Sequence, residues 1–278
     1  MAGRREITGF SNPTVKYLRS LREKKHRKRE GKFLAEGLRL LTDARNSGHL
    51  PEQLVMDVVA SAFNSAGQRC SAARVLLVQE DIADRVLELL AGAMDELVVG
   101  DPALLATDVG PVIDATALTA LQAHAARIVP LARWHHRAPA PAEQGGLHFA
   151  PLAVELGFDE LPREEVFGPI LHVARFKGSD LDRLIDRINA WGYGLTLGIH
   201  TRIDERALRL AARARVGNVY VNRNVIGAVV GVQPFGGEGL SGTGPKAGGP
   251  SYLPRFATEQ TVSINSAAVG GNASLLAI

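Results

Sequence analysis

The 278-residue chain has one cysteine, three methionines and two tryptophans, and aromatic residues make up only 5% of it. A single cysteine excludes an internal disulfide, which fits a reducing cytoplasm. No apolar run reaches the ~18 residues of a membrane span, so no membrane partner is expected. The basic N-terminus lacks a following apolar stretch with a cleavage site, which argues against a secretory signal. No metal site is expected. The net charge of +3 is small, but it is unevenly spread. Residues 1–56 carry 13 Lys and Arg against 6 Asp and Glu, whereas the rest of the chain carries 19 against 23. A basic head joined to a mildly acidic body suggests two modules with different partners.

Hydrophobic residues make up 46% of the sequence, enough for a sizeable core. From Asp57 onward helical and extended patterns alternate. The apolar spacing predicts helices over 57–66, 81–97, 116–128, 181–190 and 202–215. Strands are predicted over 74–78, 149–156, 170–176, 195–200 and 218–221. In the helix over 81–97 the expected inner face is Ile82, Val86, Leu89, Leu90 and Met94. Residues 135–147, rich in His, Ala, Pro and Gly, read as an irregular surface connection. This alternation argues for an α/β fold with a largely parallel sheet.

In the head, Ser11-Asn12-Pro13 is a helix-start signal. Val15, Leu18 and Leu21 follow at helical spacing, opposite eight positive residues that include Lys24, Lys25, Arg27 and Lys28. Such a run is either a solvated face or a phosphate-binding surface, and no interleaved aromatics suggest base stacking. A strand over 32–35, a helix over 36–44 and a strand beginning at Leu54-Val55-Met56 are expected after it.

Cys70 lies in Gly67-Gln68-Arg69-Cys70-Ser71-Ala72, at a turn between a helix and a strand. A lone cysteine is more often a small buried residue than a nucleophile. A thiol at such a turn, however, reaches a cleft, and its thiolate is strongly nucleophilic. Further along lie Glu164-Glu165-Val166-Phe167-Gly168-Pro169, Gly217-Asn218-Val219-Tyr220-Val221-Asn222 and Pro234-Phe235-Gly236-Gly237. The last of these leads into a stretch in which seven of seventeen residues, from Pro234 to Pro250, are glycine. Gly-rich backbone approaches a ligand closely and offers N–H groups to an anion.

Together these motifs resemble the aldehyde dehydrogenases, and Gly244-Pro245-Lys246-Ala247-Gly248-Gly249-Pro250 resembles the branch acting on glutamate γ-semialdehyde. The tail from Thr261 to Ile278 is similar to the C-terminal end of bacterial bifunctional proline-utilisation proteins. The resemblance implies that Cys70 is the catalytic nucleophile and that its N–H is one oxyanion donor. It implies that Glu165 binds the nicotinamide ribose of NAD and that Phe167 packs near the nicotinamide ring. Ser71, Ala247, Gly248 and Phe256 are implied to hold the substrate, an aldehyde bearing an α-carboxylate. In the family the general base, the second oxyanion donor and most NAD contacts come from a dinucleotide-binding domain ahead of the cysteine. Residues 1–56 show no glycine-rich fingerprint of such a domain.

Ser11 to Lys16, Lys24 to Arg29 and Gly31 to Gly37 resemble the substrate-binding domain that opens SpoU-type RNA 2′-O-ribose methyltransferases. That second resemblance implies RNA contact through Lys24, Lys25, Arg27 and Lys28. The expected organisation is a truncated α/β RNA-binding-like segment over 1–56, a catalytic domain over 57–262 and a tail over 263–278. No dinucleotide-binding domain is expected. The tail is expected to serve as an oligomerisation strand. Expected partners are a small aldehyde, RNA at the head, and either a second copy of the chain or a separate NAD-binding chain. The alternatives to a dehydrogenase half are an RNA-binding module, a methyltransferase remnant or an inactive fusion product.

Overall fold

The computed structural model describes residues 50–139 and 146–265. The basic helix with Lys24, Lys25, Arg27 and Lys28 lies outside the described residues, as does the tail beyond residue 265.

The first described element is helix α1, Leu50–Phe63. Val55, Val58, Val59, Ala62 and Phe63 recur along one side at helical spacing, and all are buried. The strand expected to begin at Leu54-Val55-Met56 is therefore corrected to helix. Val55 belongs to the same buried stripe as Phe63, so α1 runs without a break across the expected boundary between residues 56 and 57.

Next come β1 (Val75–Gln79), α2 (Glu80–Asp95) and α3 (Ala115–Ile128). In α2 the buried face is Ala83, Val86, Leu87, Leu90 and Met94. Ile82 is 45% exposed, so the inner face is rotated from the expected one by about one residue. Asp114 caps α3 by accepting from the Ala117 N–H at 2.7 Å, as a helix N-terminus with orphan donors favours. Strands β2 (Trp134–Arg137), β3 (Leu152–Glu155) and β4 (Ile170–Phe176) complete a sheet of order β1-β4-β3-β2. The β1–β4 and β3–β4 pairs are parallel and β2–β3 is antiparallel. Residues 134–137 were expected to be irregular in part. They form an edge strand instead, with half-buried Trp134 and His136 alternating with exposed His135 and Arg137.

The remaining elements are α4 (Leu181–Asn189), β5 (Tyr193–Gly194), β6 (Thr196–Ile199), α5 (Asp204–Arg213), β7 (Asn218–Val221) and β8 (Glu238–Gly239). β6 and β7 pair in parallel, and β5 pairs antiparallel with β8. Two cores result. The larger unites α1, α2, α3 and the four-stranded sheet around Phe63, Leu90, Met94, Leu152 and Ile170. The smaller holds Ile185, Ile199, Ala207 and Leu210.

The larger core contains two histidines. His172 on β4 is fully buried and His124 on α3 nearly so. Their Nε2 atoms lie 2.9 Å apart, with the rings edge to face. His172 Nδ1 is 3.1 Å from the Arg74 carbonyl oxygen, and Arg127 meets His124 Nδ1 at 2.9 Å. Burial pushes the His172 pKa down to about 4, with the Arg74 carbonyl opposing and nearby His124 and Arg74 adding to the fall. Burial and Arg127 lower that of His124 as well.

Between pH 6.5 and about 4 the unfolded chain takes up a proton at residue 172 that the folded chain refuses. The His172 contribution to stability is thus complete above pH 6.5 and lost as the pH falls toward 4. A His172→Gln chain should lose less stability than the parent between pH 7 and pH 4.5, by up to about 3 kcal/mol. Urea midpoints at the two pH values check this, and equal losses in both chains would contradict it.

Candidate functional site

α1 passes at Phe63 into a short 3-10 turn, Asn64–Gly67. Ser65, Ala66 and Gly67 are all left-handed, with φ of 57°, 52° and 62°. The first two carry side chains and so hold backbone strain of about 1–2 kcal/mol each. Gln68 fixes this turn to the next part of the chain. Its side-chain oxygen accepts from the Ile113 N–H at 2.7 Å, and its amide donates to the Pro111 carbonyl at 3.3 Å. Gly67 is required twice over. Its φ is positive, and a Cβ there would stand 2.3 Å from the Gly168 carbonyl oxygen and 2.8 Å from that of Ala62.

The close approach of Gly67 to Gly168 brings the cysteine segment against Glu165–Gly168. Cys70 is exposed just past the turn. Its backbone N–H donates to no protein acceptor among the described residues. Arg74, at the mouth of β1, spans the junction. It donates to the carbonyls of Gly67 (2.6 Å), Arg69 (2.9 Å) and Gly168 (3.2 Å). Its Nε and Nη2 both reach Glu165 Oε1, at 3.3 and 3.2 Å. The guanidinium also sits 4.9 Å from the centre of the Phe167 ring. Burial pushes the Arg74 pKa down, against the pull of Glu165 and Cys70. An arginine nonetheless keeps its charge across the working pH range.

Cys70, Arg74 and Glu165 line one cleft of about 590 Å³. Its walls include all of β1 and residues 195–201, and Tyr193, Leu240 and Ser241 also face it. The cleft thus lies between the two cores. The β5–β8 pair carries its far rim, where the Ser241 hydroxyl accepts from the Gly194 N–H at 3.0 Å.

Of the residues singled out in the sequence, the structure gathers Cys70 and Glu165 in this cleft, with Phe167 beside them on Arg74. It does not bring the other four to the cleft wall. Ser71 is buried, and its carbonyl accepts from Thr196 Oγ1 at 3.5 Å. Ala247 pairs through its backbone with Phe235, at 2.9 and 3.0 Å. Gly248 is exposed with φ of 74°, and Phe256 is 71% exposed, edge-on to Tyr252. The glycine-rich stretch is held in place by its own bonds. Asn218 donates to the Pro234 carbonyl and accepts from the Gly236 N–H, and the Lys246 ammonium donates to the Gly217 carbonyl.

Sequence reading did not single out Arg74, whose carboxylate partner is 91 residues away. A charged residue opening a strand as apolar as Val75-Leu76-Leu77-Val78 was the available signal.

The arrangement offers an exposed thiol, a free N–H beside it, a fixed cation and a carboxylate with one oxygen unpaired. Glu165 Oε2 has no partner among the described residues, and the side chain is 43% exposed. That oxygen suits a hydroxyl donor such as a ribose.

Residues 49–262 match the model of the aldehyde dehydrogenase family. Over 218 residues the chain is 55% identical to Bifunctional protein PutA of Klebsiella aerogenes, covering 76% of this chain and 16% of that protein. Over 217 residues it is 36% identical to 1-pyrroline-5-carboxylate dehydrogenase of Bacillus cereus, covering 76% of this chain and 41% of that one. A crystal structure of Bradyrhizobium japonicum Proline Utilization A superimposes with a TM-score of 0.73 at 60% identity, over 78% of this chain and 22% of that chain. The chain therefore spans less than half the length of these relatives.

Replacing Gly67 with alanine should force the turn away from Gly168 and cost about 2 kcal/mol or more. A thermal melt compared with Gly92→Ala, at a helical glycine with open space around its Cβ, checks this. Equal melting temperatures for the two variants would contradict it.

Proposed function

The chain belongs to the aldehyde dehydrogenase family, and from that premise we propose that it supplies the catalytic half of an NAD-dependent dehydrogenase for L-glutamate γ-semialdehyde. The single observation that carries this reading is the shared cleft of Cys70 and Glu165, joined by Arg74. Supporting it are the relatives named for pyrroline-5-carboxylate, whose hydrated open form is that semialdehyde.

The Cys70 thiolate attacks the aldehyde carbon and forms a C–S bond. The developing oxyanion takes a hydrogen bond from the Cys70 N–H. A bound NAD would supply the acceptor for the hydride lost from the former aldehyde carbon. Water then releases glutamate from the resulting Cys70 thioester and returns the thiol. Glu165 would hold the cofactor by its ribose hydroxyls, accepting hydrogen bonds from them at Oε2, the oxygen that Arg74 leaves free. Phe167, whose ring centre lies 4.9 Å from the Arg74 guanidinium, would border the nicotinamide. The carboxylate of the substrate is assigned to Ser71, Ala247 and Gly248, with Phe256 beside it. This requires Ser71 to be uncovered and the stretch around Gly248 to move toward the cleft when substrate binds. Because the chain spans 41% of the dehydrogenase relative, the other NAD contacts are assigned to a nucleotide-binding unit outside the matched segment.

The test is a chimera in which residues 49–262 replace the matching segment of the Bacillus cereus relative. With pyrroline-5-carboxylate it should reduce NAD, and Cys70→Ala should abolish the rate. A chimera that folds but oxidises short aliphatic aldehydes faster than pyrroline-5-carboxylate would overturn the substrate. One that reduces NAD equally well without Cys70 would overturn the mechanism.

A further inference from the structure

Resting on that reading of Cys70 and Glu165, we propose that Arg74 is a positioning residue that locks the nucleophile turn to the cofactor-facing carboxylate and keeps a positive charge beside the thiol. The observation is its set of partners. One guanidinium joins Gly67, which ends the turn, and Arg69, just past it, to Gly168 and Glu165 on the facing segment. Its side chain is only 16% exposed; the bonds to Gly67 and Gly168 are partly buried, and those to Arg69 and Glu165 lie at the surface.

The geometry on Glu165 is selective. Nε and Nη2 converge on Oε1 and leave Oε2 to the cleft. Arginine could have taken both oxygens in a parallel fork, as Arg175 does with Glu155 at 2.7 and 3.1 Å. The one-sided bond fixes the carboxylate plane while reserving an acceptor for a diol-bearing ligand. Lysine cannot replace it, because a single ammonium cannot reach carbonyls on both segments and a carboxylate together. Cys70 in turn favours the charged form of Arg74, so the part that sets the ribose acceptor is also coupled electrostatically to the thiol.

The lone cysteine makes the test direct. In the full 278-residue chain, iodoacetamide can alkylate only one thiol. Arg74→Ala should slow this alkylation about fivefold or more at pH 7.5, and millimolar methylguanidinium should restore part of the rate. Arg74→Lys, which keeps the charge without the fork, should fall between the two. A residue that merely packs the turn predicts the opposite, since loosening the segment exposes the thiol. Alkylation that is unchanged or faster in Arg74→Ala, or that ignores methylguanidinium, would overturn the proposal. If Arg74→Ala does not fold, Arg74→Lys decides alone: slowing of about twofold or more supports the role, and a parental rate overturns it. The outcome does not depend on pyrroline-5-carboxylate. A chimera inactive toward that substrate would remove the substrate and leave the positioning role of Arg74 standing.

Discussion

The site depends on one contact between two stretches of backbone. Gly67 and Gly168 come so close that no side chain fits at residue 67. The left-handed turn before it is strained at Ser65 and Ala66. That strain persists because the surroundings over-determine it: buried Phe63 anchors one end and Gln68 ties the other to Pro111 and Ile113. With the turn fixed, Cys70 projects outward and Arg74 lands within reach of four carbonyl or carboxylate partners. Every polar feature of the cleft near the thiol follows from that placement.

The cleft has unequal walls. Cys70 and Glu165 stand on the larger core, whose α1, α2 and four-stranded sheet bury aromatic, leucine and methionine side chains. The far wall rests on four small or medium apolar residues, Ile185, Ile199, Ala207 and Leu210. Ion pairs supplement it, with Arg209 on Asp182 and Arg213 on Asp186, but both lie in solvent and contribute little. Local opening therefore belongs to the wall away from Cys70. That asymmetry suits a reaction in which the attacking group stays put and the substrate-facing loops adjust.

Most elements were legible from periodicity, because β4 and α2 bury long, regular apolar patterns. Errors came where tertiary contacts outweigh local pattern. Residues 54–56 look extended in isolation, and only the five-residue stripe from Val55 to Phe63 reveals the helix. β2 is largely polar and ends two residues before Pro139, so nothing local distinguishes it from a loop; its pairing with β3 makes it a strand. Motif resemblance singled out Cys70 and Glu165, which line one cleft. It could not show that Ser71 is buried or that Ala247 is already paired with Phe235. Nor could it find Arg74, whose importance arises from partners distant in sequence.

The two core histidines carry a consequence for the direction of their bonds. The Arg74 carbonyl can only accept, so His172 Nδ1 must be the protonated nitrogen and its Nε2 the acceptor. His124 must then donate from Nε2, which leaves its Nδ1 to accept from Arg127. Each ring is confined to one tautomer, and the two tautomers are opposite. All three donors point the same way, from the helix surface inward to the carbonyl of Arg74, so their dipoles add head to tail. The chain of imidazoles has a polarity, and it ends on the backbone of the residue whose side chain bridges Gly67 and Gly168.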